Sequence, residues 1–126
     1  MKVRIRHRRL RFDLYCSQLV IDEAAAGDAE AADHRLQALT GIPLLDIGAE
    51  VLRLSELILD RGALPRTAGE DALHISIAAL HDIDYLLTWN CTHIANAETR
   101  RVIGRLTAAI GIELPTICTP EESPGA

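Results

Sequence analysis

Apolar positions along the chain switch between a period of two and a period near 3.6, and the switches mark its elements. Residues 13–17 (DLYCS) alternate polar and apolar side chains, the pattern of a half-buried strand. Residues 18–26 turn into a helix that Gly27 stops. Asp28 is a good N-cap for a second helix over 29–39, which ends at Thr40 and Gly41. Residues 42–47 (IPLLDI) read as a buried strand, with Pro43 near its start where a missing donor does little harm. Ala49–Asp60 places Val51, Leu52, Leu54, Ile58 and Leu59 at helical spacing and closes around Gly62. A loop over 62–70 leads to a helix over 70–81 and a strand over 85–88. A polar-faced helix over 95–110 stops at Gly111, a short strand follows over 115–118, and 121–126 is a frayed tail.

Strands alternating with helices predict a parallel sheet covered on both faces, a three-layer α/β/α sandwich. The 126 residues suit one domain with a substantial core, spanning 1–126 with no repeat or internal linker. At 48% hydrophobic and 25% charged the composition is globular. Phe12, Tyr15, Tyr85 and Trp89 are the only aromatic residues, so aliphatic side chains must fill the core and few rings can stack on bases.

The net charge of −5 is unevenly spread. Lys2, Arg4, Arg6, Arg8, Arg9 and Arg11 all precede the first acid, Asp13, and the rest of the chain carries seven basic and eighteen acidic residues. Residues 1–12 read as a basic arm, able to contact phosphates or simply solvated. Cys16, Cys91 and Cys118 lack the spacing of a zinc site or a disulfide framework and read as buried thiols. No signal peptide or membrane span is evident, so the expected location is the cytoplasm.

The candidate chemistry lies where acids follow strands or open helices. Glu23 comes six residues after the strand-ending Ser17. Asp71 heads an Ala- and Ile-rich helix whose dipole favours an anion, where it is either a capping acid or a ligand. Asn90 follows the strand exit Thr88-Trp89, a turn residue or an oxygen ligand. Hard oxygens without a Cys/His set suit Mg²⁺ or Mn²⁺. His74, one turn after Asp71, faces either this site or a neighbouring element. His81 and His34 read as helix-surface residues, and His93 lies in a loop where it is a structural hydrogen-bonding residue or a base. No Gly-rich phosphate loop, GxSxG or HExxH is present, which removes support for NTPase, serine-hydrolase and zincin chemistry.

Three segments, Ser17-Gln-Leu-Val-Ile-Asp-Glu23, the helix beginning Asp71-Ala-Leu-His-Ile-Ser-Ile, and Tyr85-Leu-Leu-Thr-Trp-Asn90, together resemble a PIN domain. This is the fold of metal-dependent ribonucleases that include the VapC-like toxins of toxin–antitoxin pairs. The resemblance spans roughly residues 13–120. It implies an acidic cleft holding Mg²⁺ or Mn²⁺, with Glu23 at the second family acid, Asp71 at the third, Asn90 at the fourth and Thr88 as the supporting hydroxyl. The ions would activate water for attack on an RNA phosphodiester. It also implies an RNA substrate, a cognate antitoxin and a homodimer. His93 and Asn96 fall in an extension with no assigned family role.

The family opens on a strand that ends in its first metal-binding Asp, and no acid here precedes Asp13. The expectation is therefore a chain truncated at its N-terminus, with a central strand absent, sheet edges exposed and little nuclease activity by itself. The alternatives are a non-catalytic, degenerate PIN module that binds RNA or a protein partner, and an unrelated α/β domain in which Asp71 and Asn90 are ordinary caps.

Overall fold

A computed structural model describes residues 2–6, 11–87 and 97–118. Five strands, β1 (Lys2–Arg6), β2 (Arg11–Ser17), β3 (Leu44–Leu45), β4 (Tyr85–Leu87) and β5 (Thr116–Cys118), form one sheet in the order β3-β2-β1-β4-β5. The α-helices are α1 (Gln18–Ala24), α2 (Ala29–Ala38), α3 (Ala49–Asp60), α4 (Gly69–Leu80) and α5 (Ala97–Ala109), with a 3-10 turn at Arg66–Ala68. The protein is thus a mixed α/β structure, and most elements fall where periodicity and caps place them.

Helix ends follow local chemistry. Ser17 caps α1 by accepting from the Val20 amide at 3.4 Å, and Asp28 caps α2 by accepting from the Ala31 amide at 3.1 Å. At the end of α3 the Ala63 amide donates to the Ile58 carbonyl and Gly62, at φ 71°, to that of Leu59. This Schellman closure uses the conformational freedom of glycine. Helix α4 ends the same way, with Asp82 at φ 55° in the left-handed position that glycine usually fills.

The N-terminal segment differs from the expected basic arm. Residues 2–6 are the central strand of the sheet, and β2 begins at Arg11, two residues before the alternation suggests. β1 pairs antiparallel with β2 from Lys2↔Tyr15 to Arg6↔Arg11, and antiparallel with β4 at Lys2↔Leu86 and Val3↔Tyr85. The pairs β2–β3 and β4–β5 are parallel. Four strands therefore run one way and β1 alone runs the other, so the expected purely parallel sheet is a mixed one. The anticipated gap at its centre is filled by a reversed strand.

The core lies between α3, α4 and the β4–β5 side of the sheet. Leu54 and Ile58 of α3 meet Ala72, Ile75, Ala78 and Ala79 of α4, with Ile83, Leu86, Ile103 and Ile117 completing the cluster. Small residues let α4 approach closely, and Ile75 is 0% exposed. Among the described residues no helix is long and apolar enough to cross a membrane.

A central strand tolerates proline badly, because the ladder loses a donor and leaves a carbonyl unpaired. Val3→Pro is expected to lower the unfolding free energy by about 1–3 kcal/mol, read from urea denaturation. An unpaired arm would leave it unchanged.

Candidate functional site

The carboxyl ends of β2, β3, β4 and β5 share one edge of the sheet. The connection from β2 passes through α1 and α2 to β3 on one side, and that from β4 passes through α5 to β5 on the other. The chain diverges in opposite directions on either side of β1. Such a switch point, outside the carboxyl ends of strands, is where α/β sheets form binding crevices. β1 is reversed, so its amino end lies here, with Lys2 in register with Tyr15 and Leu86.

Glu23 is brought to this region by a short, well-fixed helix. Ser17 ends β2 and caps α1 at once, so no slack separates strand from helix. The far end of α1 is held by Arg35 of α2, whose Nε donates to the Ala24 carbonyl at 3.0 Å and Nη2 to that of Ala26 at 2.6 Å. A cation on the last carbonyls of a helix also complements its dipole.

Asp71 stands in the first turn of α4, behind Ala68 as N-cap, and is half-buried. It is therefore not the capping residue itself. The 3-10 turn ahead of it is tethered to α3 by Arg66, which is ion-paired to Asp60 and, at 3.4 Å, to Glu56. The hydrogen bond and charge of Asp60, followed by those of Glu56, hold the Arg66 guanidinium above its ordinary pKa. These side chains are solvent-exposed, so the pairs place the turn more than they stabilise the fold.

The two helices meet through His74, whose Nε2 lies 2.7 Å from Glu23 Oε1 across 51 residues of sequence. An ionised carboxylate only accepts, so Nε2 carries the proton and donates it. The His74 side chain is 16% exposed and that of Glu23 45%. His74 is three residues after Asp71, a neighbour on the same face of α4. His81, the C-cap of α4, approaches the Asp46 carbonyl beyond β3 with Nε2 at 2.8 Å and donates to it. Both histidines therefore fasten α4 to the β2–β3 half of the molecule, and His81 is more than the surface residue its helical setting suggests. A seven-residue histidine spacing on one helix was the available signal in the sequence.

Of the remaining candidates, Thr88, Asn90, His93 and Asn96 lie outside the described residues, as do Arg8 and Arg9. Arg4 and Arg6 belong to β1 and Arg11 to β2, with Arg4 opposite Asp13 and Arg6 opposite Arg11 in the ladder. Among the described residues no group of three or more His, Cys, Asp or Glu side chains is placed to hold a metal ion. Two carboxylates carried on adjoining helices offer hard oxygen donors, a set that suits Mg²⁺ or Mn²⁺ retaining several waters. Two hollows lie away from this edge. One, of about 250 Å³, is lined by Asp82, Asp84, Tyr85 and Glu113 at the amino ends of β4 and β5. The other, of about 320 Å³, is an apolar groove between α3, Leu80 and Ile112.

Comparison with protein-family models, with curated proteins and with solved structures finds no match to this chain.

The Glu23–His74 contact makes a definite energetic prediction. A double-mutant cycle with Glu23→Ala and His74→Ala should return a coupling of about 0.5–1.5 kcal/mol, discounted for the exposure of Glu23. A coupling near zero in chemical denaturation would show that the two side chains do not meet in solution.

Proposed function

We propose that this chain is a PIN-like domain of the three-layer α/β/α type, a toxin-type endoribonuclease that hydrolyses RNA phosphodiesters with Mg²⁺ or Mn²⁺. The observation that carries the reading is the Glu23–His74 hydrogen bond, which brings Glu23 to the helix that carries Asp71. Two acids that the PIN resemblance makes ligands thus come from distant parts of the chain to adjoining helices. Asn90, at the exit of β4, is the third proposed ligand, with Thr88 and His93 in supporting places.

When bound, the cation supplies an ionised water as nucleophile and offsets charge on the departing oxygen. The chain's own contribution is positional. Glu23 and Asp71 furnish anionic oxygens, and the amino end of α4 favours the negative charge of Asp71. Arg4, Arg6, Arg8, Arg9 and Arg11 are the proposed phosphate contacts, but Arg6 and Arg11 pair at the far end of the β1–β2 ladder from Lys2, so they would engage RNA away from the carboxyl edge. A cognate antitoxin and a second copy of the chain are the proposed protein partners. Leu14, Leu44, Leu52 and Ile110 are large apolar side chains left exposed on separate elements.

A second reading, a non-cleaving PIN-like module that binds RNA or a protein, draws on a specific observation. Lys2, not an acid, holds the β1 position at the carboxyl edge of β2 and β4.

The experiment that separates these readings combines a thermal shift with RNA cleavage. Millimolar Mn²⁺ should raise the melting temperature by about 2–5 °C and support slow cleavage, and Asp71→Asn should abolish both. RNA retention without cleavage in any metal would favour the binding module. Neither a shift nor RNA binding would leave an unrelated α/β domain.

A further inference from the structure

We propose that the apolar groove between α3 and the end of α5 is where two copies of this chain meet, each seating its Ile110 in the groove of the other. This gives a place to the second copy named among the proposed partners, and it holds whether or not the carboxyl edge of the sheet binds a cation. The groove is a hollow of about 320 Å³, with room for one branched aliphatic side chain. Leu54, 3% exposed, and the half-buried Leu57, Leu80 and Ile112 line it and continue into the core. Ile110 stands at its rim and is 51% exposed. The turn that ends α5 fixes its backbone. The Ile110 amide donates to the Thr107 carbonyl at 3.1 Å, Gly111 to Ala108 at 3.0 Å and Ile112 to Thr107 at 2.8 Å, with Gly111 at φ 77°. This is a Schellman closure. It packs one isoleucine against the core and holds the other at the surface, so little further freedom is lost when Ile110 is covered.

The rim carries an independent observation. Glu50 and Arg53 line the same groove, both exposed and three residues apart on α3. Opposite charges at that spacing can pair with each other, as Glu98 and Arg101 do at 3.3 Å. Among the described residues Glu50 and Arg53 make no ion pair, with each other or elsewhere. A two-fold contact needs a self-complementary surface, because residue i meets residue j while j meets i. An apolar hollow, an apolar side chain to fill it, an anion and a cation on one patch meet that need. Glu50 then faces Arg53 of the partner subunit on both sides of the axis. An unrelated partner would have to match the hollow and both charges separately, whereas a second copy matches them by symmetry. Asp71 and Leu80 stand at opposite ends of α4, about 14 Å apart along the helix, so a contact at the Leu80 end leaves the candidate site open.

The test is sedimentation velocity on the full chain in metal-free buffer, from about 1 to 200 µM, because an interface built on few side chains forms at micromolar concentration or above. The variants are Ile110→Lys, Glu50→Arg, Arg53→Glu and the double exchange Glu50→Arg/Arg53→Glu, with Glu30→Arg on α2 as a control and circular dichroism to confirm folding. Wild type is expected to dimerise reversibly. Each single change in the patch should weaken the dimer about tenfold or more, and the double exchange should return it to within about threefold of wild type. Glu30→Arg should leave it unchanged. If Ile110→Lys prevents folding, the charge series decides alone. A wild type that stays monomeric throughout would overturn the inference and leave the groove to another occupant. A dimer indifferent to the single changes, or one that the double exchange fails to restore, would also overturn it. Failure of the ribonuclease reading looks different: a dimer of the expected kind whose melting temperature ignores Mn²⁺.

Discussion

The sheet depends on the ladder that β1 makes with its two neighbours. On one side lie β2 and β3 with α1 and α2, and on the other β4 and β5 with α4 and α5. Each pair is parallel within itself, and in the sheet the two pairs are joined through β1. Its register with β2 runs over five residues, but with β4 over only two. Without it, β2 and β4 would each present an unpaired interior edge, the condition that invites slippage and edge-to-edge association. A seam this short needs reinforcement from outside the sheet.

Helix α4 provides that reinforcement, and its composition shows how one helix can do so. Ala72, Ile75, Ile77, Ala78 and Ala79 are buried, and the alanines let the helix settle against α3 and the sheet at close range. The buried hydroxyl of Ser76 is satisfied within the helix by donating to the Ala72 carbonyl at 2.8 Å. His74 in the helix and His81 at its C-cap reach Glu23 and the Asp46 carbonyl, both in the opposite half of the molecule. The two histidines of this mostly apolar segment are thus the side chains that cross the seam. The contact that ties the two halves together at His74 is also the one that fixes Glu23 beside α4.

Elements fixed by local chemistry were legible in the sequence, and those fixed by distant partners were not. Ser17 and Asp28 as caps, Gly62 as a terminator and the amphipathic run Ala49–Asp60 each announce a boundary within a few residues. β1 was obscured because its alternation, Lys2-Val-Arg-Ile-Arg6, carries so much positive charge that it reads as a solvated arm. Its direction is settled by pairing with residues 11–15 and 85–86, which no local pattern encodes. The same holds for the site. Glu23 and Asp71 are conspicuous by their places after a strand and at a helix start, whereas the meeting of Glu23 with His74 depends on packing across 51 residues. His81 was passed over because a histidine at a helix end has an adequate local explanation, and its carbonyl partner lies 35 residues away.

The reversal of β1 has a chemical consequence as well as a topological one. A parallel strand in the central slot would bring its carboxyl end, and whatever side chain follows it, to the edge where β2 gives way to α1 and β4 ends. A reversed strand brings its amino end there instead, and in this chain the register position is taken by Lys2. Which end of the central strand faces that edge is thus settled by backbone pairing across the sheet, with residues 11–15 on one side and 85–86 on the other, before any side chain of the candidate site is considered.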